Sequence, residues 1–309
     1  MREIFEIFPT SRLQDSPLRP AQLAWLIALG AIWGSSFLFM KIAVPAMGPS
    51  VMMGGRIGIA AITLTIVAWF IKKSLPRGKQ WKPAVVTGIF YAAIPLFLWG
   101  YAAQQLSASL LSIINATAPL FAALVSLLWR PAQTSKRMGA NGLAGLALGF
   151  AGVAVLVGGE GLSDSKPPVL SIAAAFLASL LYGVISNYWQ TAKDMDAYSN
   201  VLGSLWVATL AMAPLMILFP VRETPGIAAW GSVAALGILC TAIAYVAYFR
   251  LVEQIGAAPA LTVTYLIPVF GTLWGVVFLG ERIGVHHVLG AAMIIGGIAL
   301  VARVRGMRP

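Results

Sequence analysis

Polar and aromatic side chains interrupt the apolar stretches of this sequence at helical spacing. Ser179, Tyr182 and Ser186 recur at intervals of three and four residues, so they share one helical face. A polar side chain that faces lipid is expensive, so such a face is expected to line a cavity or to pack on another helix. Aromatic rings with a few amides and hydroxyls suit an amphipathic solute of amino-acid size. The residues that we predict to contact such a solute are Trp33, Trp99, Asn115, Tyr182, Asn187, Tyr248, Thr264 and Tyr265.

Two prolines, Pro119 and Pro268, fall inside predicted helices and are 149 residues apart. Proline lacks the backbone N–H and clashes with the preceding turn, so it kinks a helix and frees a carbonyl oxygen. The two kinks either act as bending points of two gates or are static bends that shape the bundle. We predict a gating role for both prolines.

Charged residues at the ends of apolar stretches are further candidates for gating. Arg56 lies seven residues after Pro49, which places it roughly 10 Å below the membrane surface. Its side chain either snorkels to the surface or lines a vestibule, where it could meet a carboxylate. Arg250 and Glu253 share a helical face and predict a local ion pair or a gate latch. Glu281 is expected beside the start of the last apolar stretch, where its charge complements the helix dipole.

The sequence contains no catalytic signature. A Walker loop, a His-Glu-x-x-His motif, a Gly-x-Ser-x-Gly motif and a cysteine cluster are all missing. The adjacent His286 and His287 point about 100° apart on a helix and are poorly placed to chelate one metal ion together. We therefore predict a protein that is not an enzyme, needs no cofactor and is not its own ATP-driven motor.

The composition places the chain in a membrane. Of its 309 residues, 59% are hydrophobic and 10% are charged, and the mean hydropathy is +0.86. Soluble domains carry about 25% charged residues, so a soluble enzyme, a disulfide-rich secreted domain and a disordered chain are excluded. The net charge of +11 is explained by basic cytoplasmic loops rather than by nucleic-acid binding.

Breaks at proline, glycine and charged clusters divide the chain into apolar stretches that are each long enough to cross a membrane. Helices are predicted because every backbone polar group must be satisfied within lipid. The ten predicted spans cover residues 21–43, 50–71, 83–103, 107–128, 139–158, 169–190, 197–219, 227–251, 257–279 and 285–304.

The distribution of Lys and Arg predicts the orientation of these spans. With the N-terminus inside, fifteen of these residues fall in cytoplasmic segments and three fall outside. Residues 1–20 mix charges with prolines, so they form a cytoplasmic N-terminal segment rather than a cleavable signal. We expect a multi-pass protein of the cell (inner) membrane with both termini in the cytoplasm.

The two halves of the sequence match each other. An offset of 149 residues lays Gly34 on Gly183 and Pro119 on Pro268, among many other pairs. Each repeat, residues 21–158 and 169–304, holds five predicted spans, so the second enters the membrane from the opposite face. Two inverted repeats are typical of secondary transporters, because such halves can open alternately to either side.

Several segments resemble the drug/metabolite transporter superfamily in its ten-helix EamA-type branch. The resemblance covers roughly residues 21–304 and is strongest in the second half. Its characteristic residues are Trp33-Gly34-Ser35-Ser36-Phe37 followed by Lys41, the stretch from Ala257 through Pro268 to Gly280-Glu281-Arg282, and Gly290 with Gly296-Gly297.

The resemblance implies an all-α integral membrane protein with two inverted five-helix repeats around a central cavity. The cavity would be lined mainly by predicted spans 1, 3, 4, 6, 8 and 9, and the usual activity is export of amino acids, other small metabolites or drugs. We predict a secondary exporter of amino acids or similar metabolites. An exporter of lipophilic cations and a lipid flippase are the alternatives. The expected partners are the solute and membrane lipid, with no nucleic acid and no ATPase; a monomer is the simplest assembly.

Overall fold

The computed structural model describes residues 19–128, 139–161, 168–191 and 196–304, and these residues form helices without any strand. Seven helices are long and apolar enough to cross a membrane, so the protein is a multi-pass integral membrane protein. The helices are α1 (Pro20–Phe70), α2 (Gly78–Ala103), α3 (Ala108–Asn115), α4 (Ala118–Leu128), α5 (Ala140–Gly161), α6 (Val169–Thr191), α7 (Ala197–Leu218), α8 (Ile227–Ile255), α9 (Ala257–Ala260), α10 (Val263–Leu279) and α11 (Val285–Val304).

Helix α1 is too long for a single membrane crossing. Its 51 residues would extend for roughly 77 Å, more than twice the thickness of the hydrocarbon core. The helical backbone breaks at Gly48, whose φ of 67° is readily adopted only by glycine, and Pro45 and Pro49 flank the break. The break separates two arms, 20–47 and 49–70, which correspond to the first two predicted spans.

Helices α2 and α8 each contain a short π-helical segment, at Gly88–Ala93 and Ile238–Ile243. In such a segment the hydrogen bonds run between residues five apart, which rotates the side chains relative to a regular α-helix. Tyr91 lies in the first segment and Thr241 in the second. Both residues belong to the candidate site described below.

The two stretches with the matched prolines are interrupted at different places. Residues 116–117 separate α3 from α4, so Pro119 is the second residue of α4, where a missing N–H breaks no intrahelical bond. Residues 261–262 separate α9 from α10, and Pro268 lies inside α10. The continuous spans predicted over 107–128 and 257–279 are therefore each divided, and only Pro268 has a mid-helix position.

Glycines bring α5 and α11 into backbone contact. A methyl group added at Gly145 would lie 2.7 Å from the carbonyl oxygen of Gly297, and one added at Gly152 would lie 2.8 Å from that of Gly290. Small residues allow this approach, and in lipid helix association depends on such packing because apolar burial between helices gains little.

Glycines also bring α1 against α10 and α6 against α4. A methyl group at Gly34 would lie 2.8 Å from the backbone nitrogen of Gly271, and one at Gly183 would lie 2.6 Å from that of Ala122. Each contact joins a helix of the first half of the chain to one of the second half. The two halves are therefore packed against each other and do not form separate bundles.

Hydrogen bonds fasten one end of the bundle, which we call the Arg222 end. The backbone N–H of Arg222 donates to the carbonyl of Ala46 (2.9 Å), and its guanidinium donates to Oε1 of Gln104 (2.5 Å). The Nζ of Lys41 donates to the carbonyl of Ala103 at 3.0 Å. These contacts hold the break in α1, the end of α2 and the segment before α8 together.

Glu281 strengthens the same end in a way that the sequence did not predict. Its carboxylate accepts hydrogen bonds from the backbone N–H groups of Ala108 (2.6 Å) and Ser109 (2.9 Å) and from the Ser109 hydroxyl. The expected place beside the start of the last span, α11, was therefore wrong, because Glu281 caps α3. A negative charge complements the dipole at a helix N-terminus, and here that helix is α3, whose first N–H groups lack intrahelical acceptors.

The opposite end, which we call the Asp196 end, has a polar fastening too. Lys73 forms an ion pair with Asp196 at 3.0 Å, and Asp196 accepts from the backbone N–H of Ser199 at the start of α7. Partial burial raises the pKa of the Asp196 carboxyl, but hydrogen bonds from Ser199 and Lys73 outweigh this effect and hold the pKa below its ordinary value. The carboxylate is thus a charged cap of α7.

We predict that Glu281→Ala lowers the free energy of unfolding by about 1–3 kcal/mol, because the first amides of α3 lose a charged acceptor. Thermal unfolding of the detergent-solubilised protein measures this change. Glu253→Ala is the matched control, since Glu253 is exposed near the end of α8. Equal melting temperatures for the two variants would contradict the capping role.

We also predict that Gly297→Ala destabilises the protein by about 1–3 kcal/mol, because its methyl group meets the backbone of α5 at 2.5 Å. Gly158→Ala is the control, because a methyl group there meets nothing within 4 Å and alanine favours the helix. The same unfolding assay compares them, and a Gly297→Ala variant as stable as Gly158→Ala would disprove the close contact.

Candidate functional site

Aromatic rings from four helices, α1, α2, α6 and α8, meet inside the bundle. The ring of Tyr91 (α2) lies 4.7 Å from that of Tyr182 (α6), and it lies 4.7 Å from that of Trp189. The ring of Trp33 (α1) lies 5.4 Å from that of Tyr248 (α8). Tilted and edge-on arrangements at these distances are favourable aromatic contacts.

Tyr245 links these rings into one group. Its ring lies 6.5 Å from that of Trp33, and its hydroxyl lies close enough to those of Tyr91 and Tyr182 to interact with them electrostatically, while Trp99 lies near the hydroxyl of Tyr182. We call the group the aromatic cluster; its members are Trp33, Tyr91, Trp99, Tyr182, Tyr245 and Tyr248. All except Trp99 keep part of their surface accessible, although rings from neighbouring helices surround them.

Arg56 extends from the second arm of α1 towards the aromatic cluster. Its side chain is only 9% exposed, and its Nε donates to the hydroxyl oxygen of Thr241 in α8 at 3.0 Å. The guanidinium also interacts electrostatically with the hydroxyl groups of Tyr182 and Tyr245. Of the two predicted orientations, snorkelling to the surface is therefore wrong, and the side chain faces the interior.

Thr241 is itself held in place by the π-helical segment of α8. Its hydroxyl donates to the carbonyl of Leu236, five residues earlier, at 2.8 Å. Because the hydroxyl proton is used there, the oxygen lone pairs are available to accept from Arg56. The register of this segment thus determines how the guanidinium is oriented.

The predicted amides have different surroundings. Asn187 is 2% exposed, and its Nδ2 donates to the carbonyls of Ala122 in α4 (2.8 Å) and Gly183 in its own helix (2.9 Å). Asn115 is half-buried at the end of α3 and makes no side-chain hydrogen bond within the described part of the chain. Asn187 thus ties α6 to α4, whereas Asn115 has an available amide.

The predicted residues of α10 make no hydrogen bond or ring contact with the aromatic cluster in the described ranges, although Val263 and Leu266 of the same helix pack in one apolar cluster with Trp33 and Tyr248. The hydroxyl of Thr264 donates to the carbonyl of Leu261, and Tyr265 is half-buried against the hydrophobic core. Pro268 is buried within the helix, and Pro119 is half-buried. None of these hydrogen bonds joins Thr264 to the aromatic cluster, so a role of Thr264, Tyr265 and Pro268 in solute contact or gating remains a prediction.

Arg250 is exposed and lines a lateral cavity. It forms no ion pair with Glu253 in the described ranges, where Lys73–Asp196 is the pair that does form. The cavity has a volume of about 290 Å³ and lies between α1 and α8. Its lining includes Trp25, Thr63, Val67, Val246, Arg250 and Gln254, none of which belongs to the aromatic cluster.

The structure adds residues that we did not predict as site residues. Tyr91, Tyr245 and Thr241 all contact the cluster or Arg56. A signal for them exists, because Thr241 and Tyr245 align at helical spacing with the predicted Tyr248. Hydroxyl and aromatic residues are common in membrane helices for packing, so spacing alone does not single them out.

Comparison with known proteins places the chain among transporters. A model of the EamA-like transporter family matches residues 21–158 and again 169–303. The chain is 24% identical to the uncharacterized transporter YoaV of Bacillus subtilis, over 88% of this chain and 94% of that protein. It is 22% identical to a probable terminal-alkyne amino-acid exporter of Streptantibioticus cattleyicolor, over 93% of this chain and 95% of that protein.

A solved crystal structure is similar in fold. It aligns with a TM-score of 0.65 at 20% identity, covering 93% of this chain and 98% of the other. A likeness at this identity supports the fold and says nothing of the solute.

We predict that Asn187→Ala lowers the free energy of unfolding by about 1–3 kcal/mol, since the carbonyl of Ala122 loses its donor inside the bundle. Asn115→Ala should leave stability nearly unchanged, because no such bond is lost. Unfolding of both variants in detergent measures the difference. Equal losses, or a larger loss for Asn115→Ala, would contradict the distinct roles of the two amides.

Proposed function

Because the chain belongs to the EamA-like transporter family, we propose that it is a secondary transporter that exports amino acids or similar small metabolites by alternating access. The observation that carries the proposal is the aromatic cluster with Arg56 at the middle of the bundle. Its rings come from both halves of the chain, and they remain partly accessible. The relative named as an amino-acid exporter supports this choice of solute class.

The proposal includes ten membrane spans. The two arms of α1 are counted as two spans, and the divided pairs α3–α4 and α9–α10 are counted as one span each. Together with α2, α5, α6, α7, α8 and α11, these make ten. Five belong to residues 21–158 and five to residues 169–304.

Reciprocal contacts support a pseudo-two-fold relation between these halves, and the odd number of spans in each half is what makes the proposed relation inverted. Gly34 packs at Phe270 and Gly183 at Phe121, and the offset of 149 residues relates both members of each pair. A two-fold axis between two similar units requires this exchange of partners. The glycine contacts between α5 and α11 follow the same rule, with the offset shortened to 145 residues.

The proposed orientation places the Asp196 end in the cytoplasm. Lys72, Lys73 and Arg77 lie in the connection after α1 at this end, as expected for a cytoplasmic loop. The Arg222 end then faces outward, and the N- and C-termini are cytoplasmic. For solute to leave at the Arg222 end, the hydrogen bonds of Arg222, Lys41 and Glu281 must break. These bonds form the proposed outer gate.

The solute path is proposed to pass through the aromatic cluster. Trp33, Trp99, Tyr182 and Tyr248 supply apolar walls, and Asn115 supplies an amide nearby. Asn187, Thr264 and Tyr265 remain proposed lining residues, and Pro119, Pro268, Arg56 and Arg250 remain proposed gating residues. Without a Walker loop, the driving force is a solute or ion gradient.

Arg56 argues against export of lipophilic cations. A buried positive charge repels a second one strongly at low dielectric. The lateral cavity between α1 and α8 is the feature that favours a lipid flippase, because it lies between two helices and none of its lining residues belongs to the cluster. One pair of tryptophans on α1 separates these functions: Trp33 belongs to the cluster, and Trp25 lines the lateral cavity.

The proposed function is tested with purified protein in liposomes loaded with radiolabelled amino acids and no ATP. We expect faster efflux than from liposomes that are loaded in the same way but contain no protein. Trp33→Leu should reduce the rate roughly 2- to 10-fold, since it removes a ring contact worth about 0.5–1.5 kcal/mol. Trp25→Leu should leave the rate unchanged.

The same liposomes carry a fluorescent phospholipid whose transfer between leaflets is followed in parallel. Lipid transfer without amino-acid efflux would establish the flippase and refute our proposal, especially if Trp25→Leu, rather than Trp33→Leu, abolished it.

A further inference from the structure

In the part of the chain that the structure describes, no Asp or Glu forms an ion pair with the guanidinium of Arg56. The sequence contains no Asp or Glu between residues 16 and 159, or between 224 and 252, so α1, α2, α3 and α4 carry none. The acidic residues whose side chains the structure describes, Asp196, Glu223, Glu253 and Glu281, lie at helix ends or in connections. A charge buried without a partner costs several kcal/mol, so an anion in contact with it is strongly favoured.

The guanidinium presents a free edge. An arginine has five N–H donors, and Thr241 accepts from the one on Nε. The Nη nitrogens make no hydrogen bond to the described residues. Fully buried side-chain atoms without a hydrogen-bond partner do occur among these residues, and the Nη nitrogens are not among them. Those atoms are Ser36 Oγ, Asn187 Oδ1 and Asn200 Oδ1. The Nη nitrogens therefore keep accessible surface, and two parallel N–H groups suit a planar carboxylate.

The surroundings of that edge suit an amphipathic molecule. Tyr182 and Tyr245 place hydroxyl groups close enough to interact with the guanidinium, and both are members of the aromatic cluster. A carboxylate at the Nη edge could accept from these hydroxyls as well. The remainder of the molecule would then meet aromatic rings, against which alkyl chains and an ammonium group are both favourable.

We infer that Arg56 binds the carboxylate of the transported solute, and that the substrates are therefore amphipathic carboxylates with an apolar side chain. The inference rests on the proposed function and adds the chemical group that is recognised. Thr241 acts as a positioning residue. Its hydroxyl accepts the hydrogen bond from Nε of Arg56, so the two Nη nitrogens are available to the solute. The solute supplies the negative charge that the protein lacks at this place.

The test uses three compounds that share one side chain. Labelled L-leucine is the reporter of counterflow in liposomes, and unlabelled leucine, 4-methylpentanoate and leucinamide are the competitors. We expect 4-methylpentanoate, which keeps the carboxylate, to compete. Leucinamide, which lacks it, should compete roughly 10- to 100-fold more weakly than leucine, the factor expected for a charge-assisted hydrogen bond.

Arg56→Gln should weaken leucine binding by a similar factor and remove the preference for leucine over leucinamide. Arg282→Gln, at an exposed arginine, should behave as the unaltered protein. Thr241→Val keeps the charge and the side-chain volume, so it should retain the preference with roughly a 2- to 10-fold loss in affinity. Detergent melting curves establish that each variant is folded.

The two proposals fail in different ways. If the unaltered protein exchanges leucine but leucinamide competes equally well, or if Arg56→Gln keeps the preference, the carboxylate site is refuted while the transporter stands. If the unaltered protein shows neither counterflow of leucine nor efflux of any labelled amino acid in the assay described above, the proposed amino-acid export is refuted, and the inference falls with it.

Discussion

A guanidinium group inside an apolar helix bundle must be compensated, and this constraint organises the centre of the molecule. Lipid offers no water to solvate the charge, and within the described ranges no carboxylate pairs with Arg56. What the protein provides are dipoles: the hydroxyl of Thr241 and those of Tyr182 and Tyr245. Dipoles reduce the cost of the charge without neutralising it, so the site is suited to an anion that arrives and leaves.

The glycine contacts explain how rings from distant parts of the chain reach this site. Helices α1 and α10 approach closely at Gly34, and α6 and α4 do so at Gly183. Because these contacts link the first half of the chain to the second, the centre is a boundary between two packed units. A boundary of this kind can shear or rock, which a single continuous core does not readily permit.

Much of this arrangement was predictable from the sequence. Apolar length indicated the membrane helices, and the proline–glycine segment at residues 45–49 indicated the break in α1. Helical spacing indicated Tyr182 and Tyr248 as candidate cavity residues, and the repeat offset of 149 residues pairs Trp33 with Tyr182. Apart from the offset, these features are local, because they depend on composition and on periodicity within one helix.

Other features depend on contacts between helices and were not predictable. The carboxylate of Glu281 caps α3, more than 170 residues away in sequence, because the connection after α10 passes over that helix. The direction of Arg56 depends on which face of α1 packs against α8. The π-helical segments have no distinct sequence pattern, although one of them sets the position of Thr241.

The central claim is that a carboxylate from the solute contacts Arg56 at the middle of the bundle. Solid-state NMR measures it directly, through the dipolar coupling between carboxyl-¹³C leucine and ¹⁵N-labelled arginine side chains in proteoliposomes. The account predicts a carbon-to-nitrogen distance of about 4 Å, as in an arginine–carboxylate pair. The coupling should persist in Arg282→Gln and vanish in Arg56→Gln. Bound leucine without this coupling, or an equal coupling in Arg56→Gln, would contradict it.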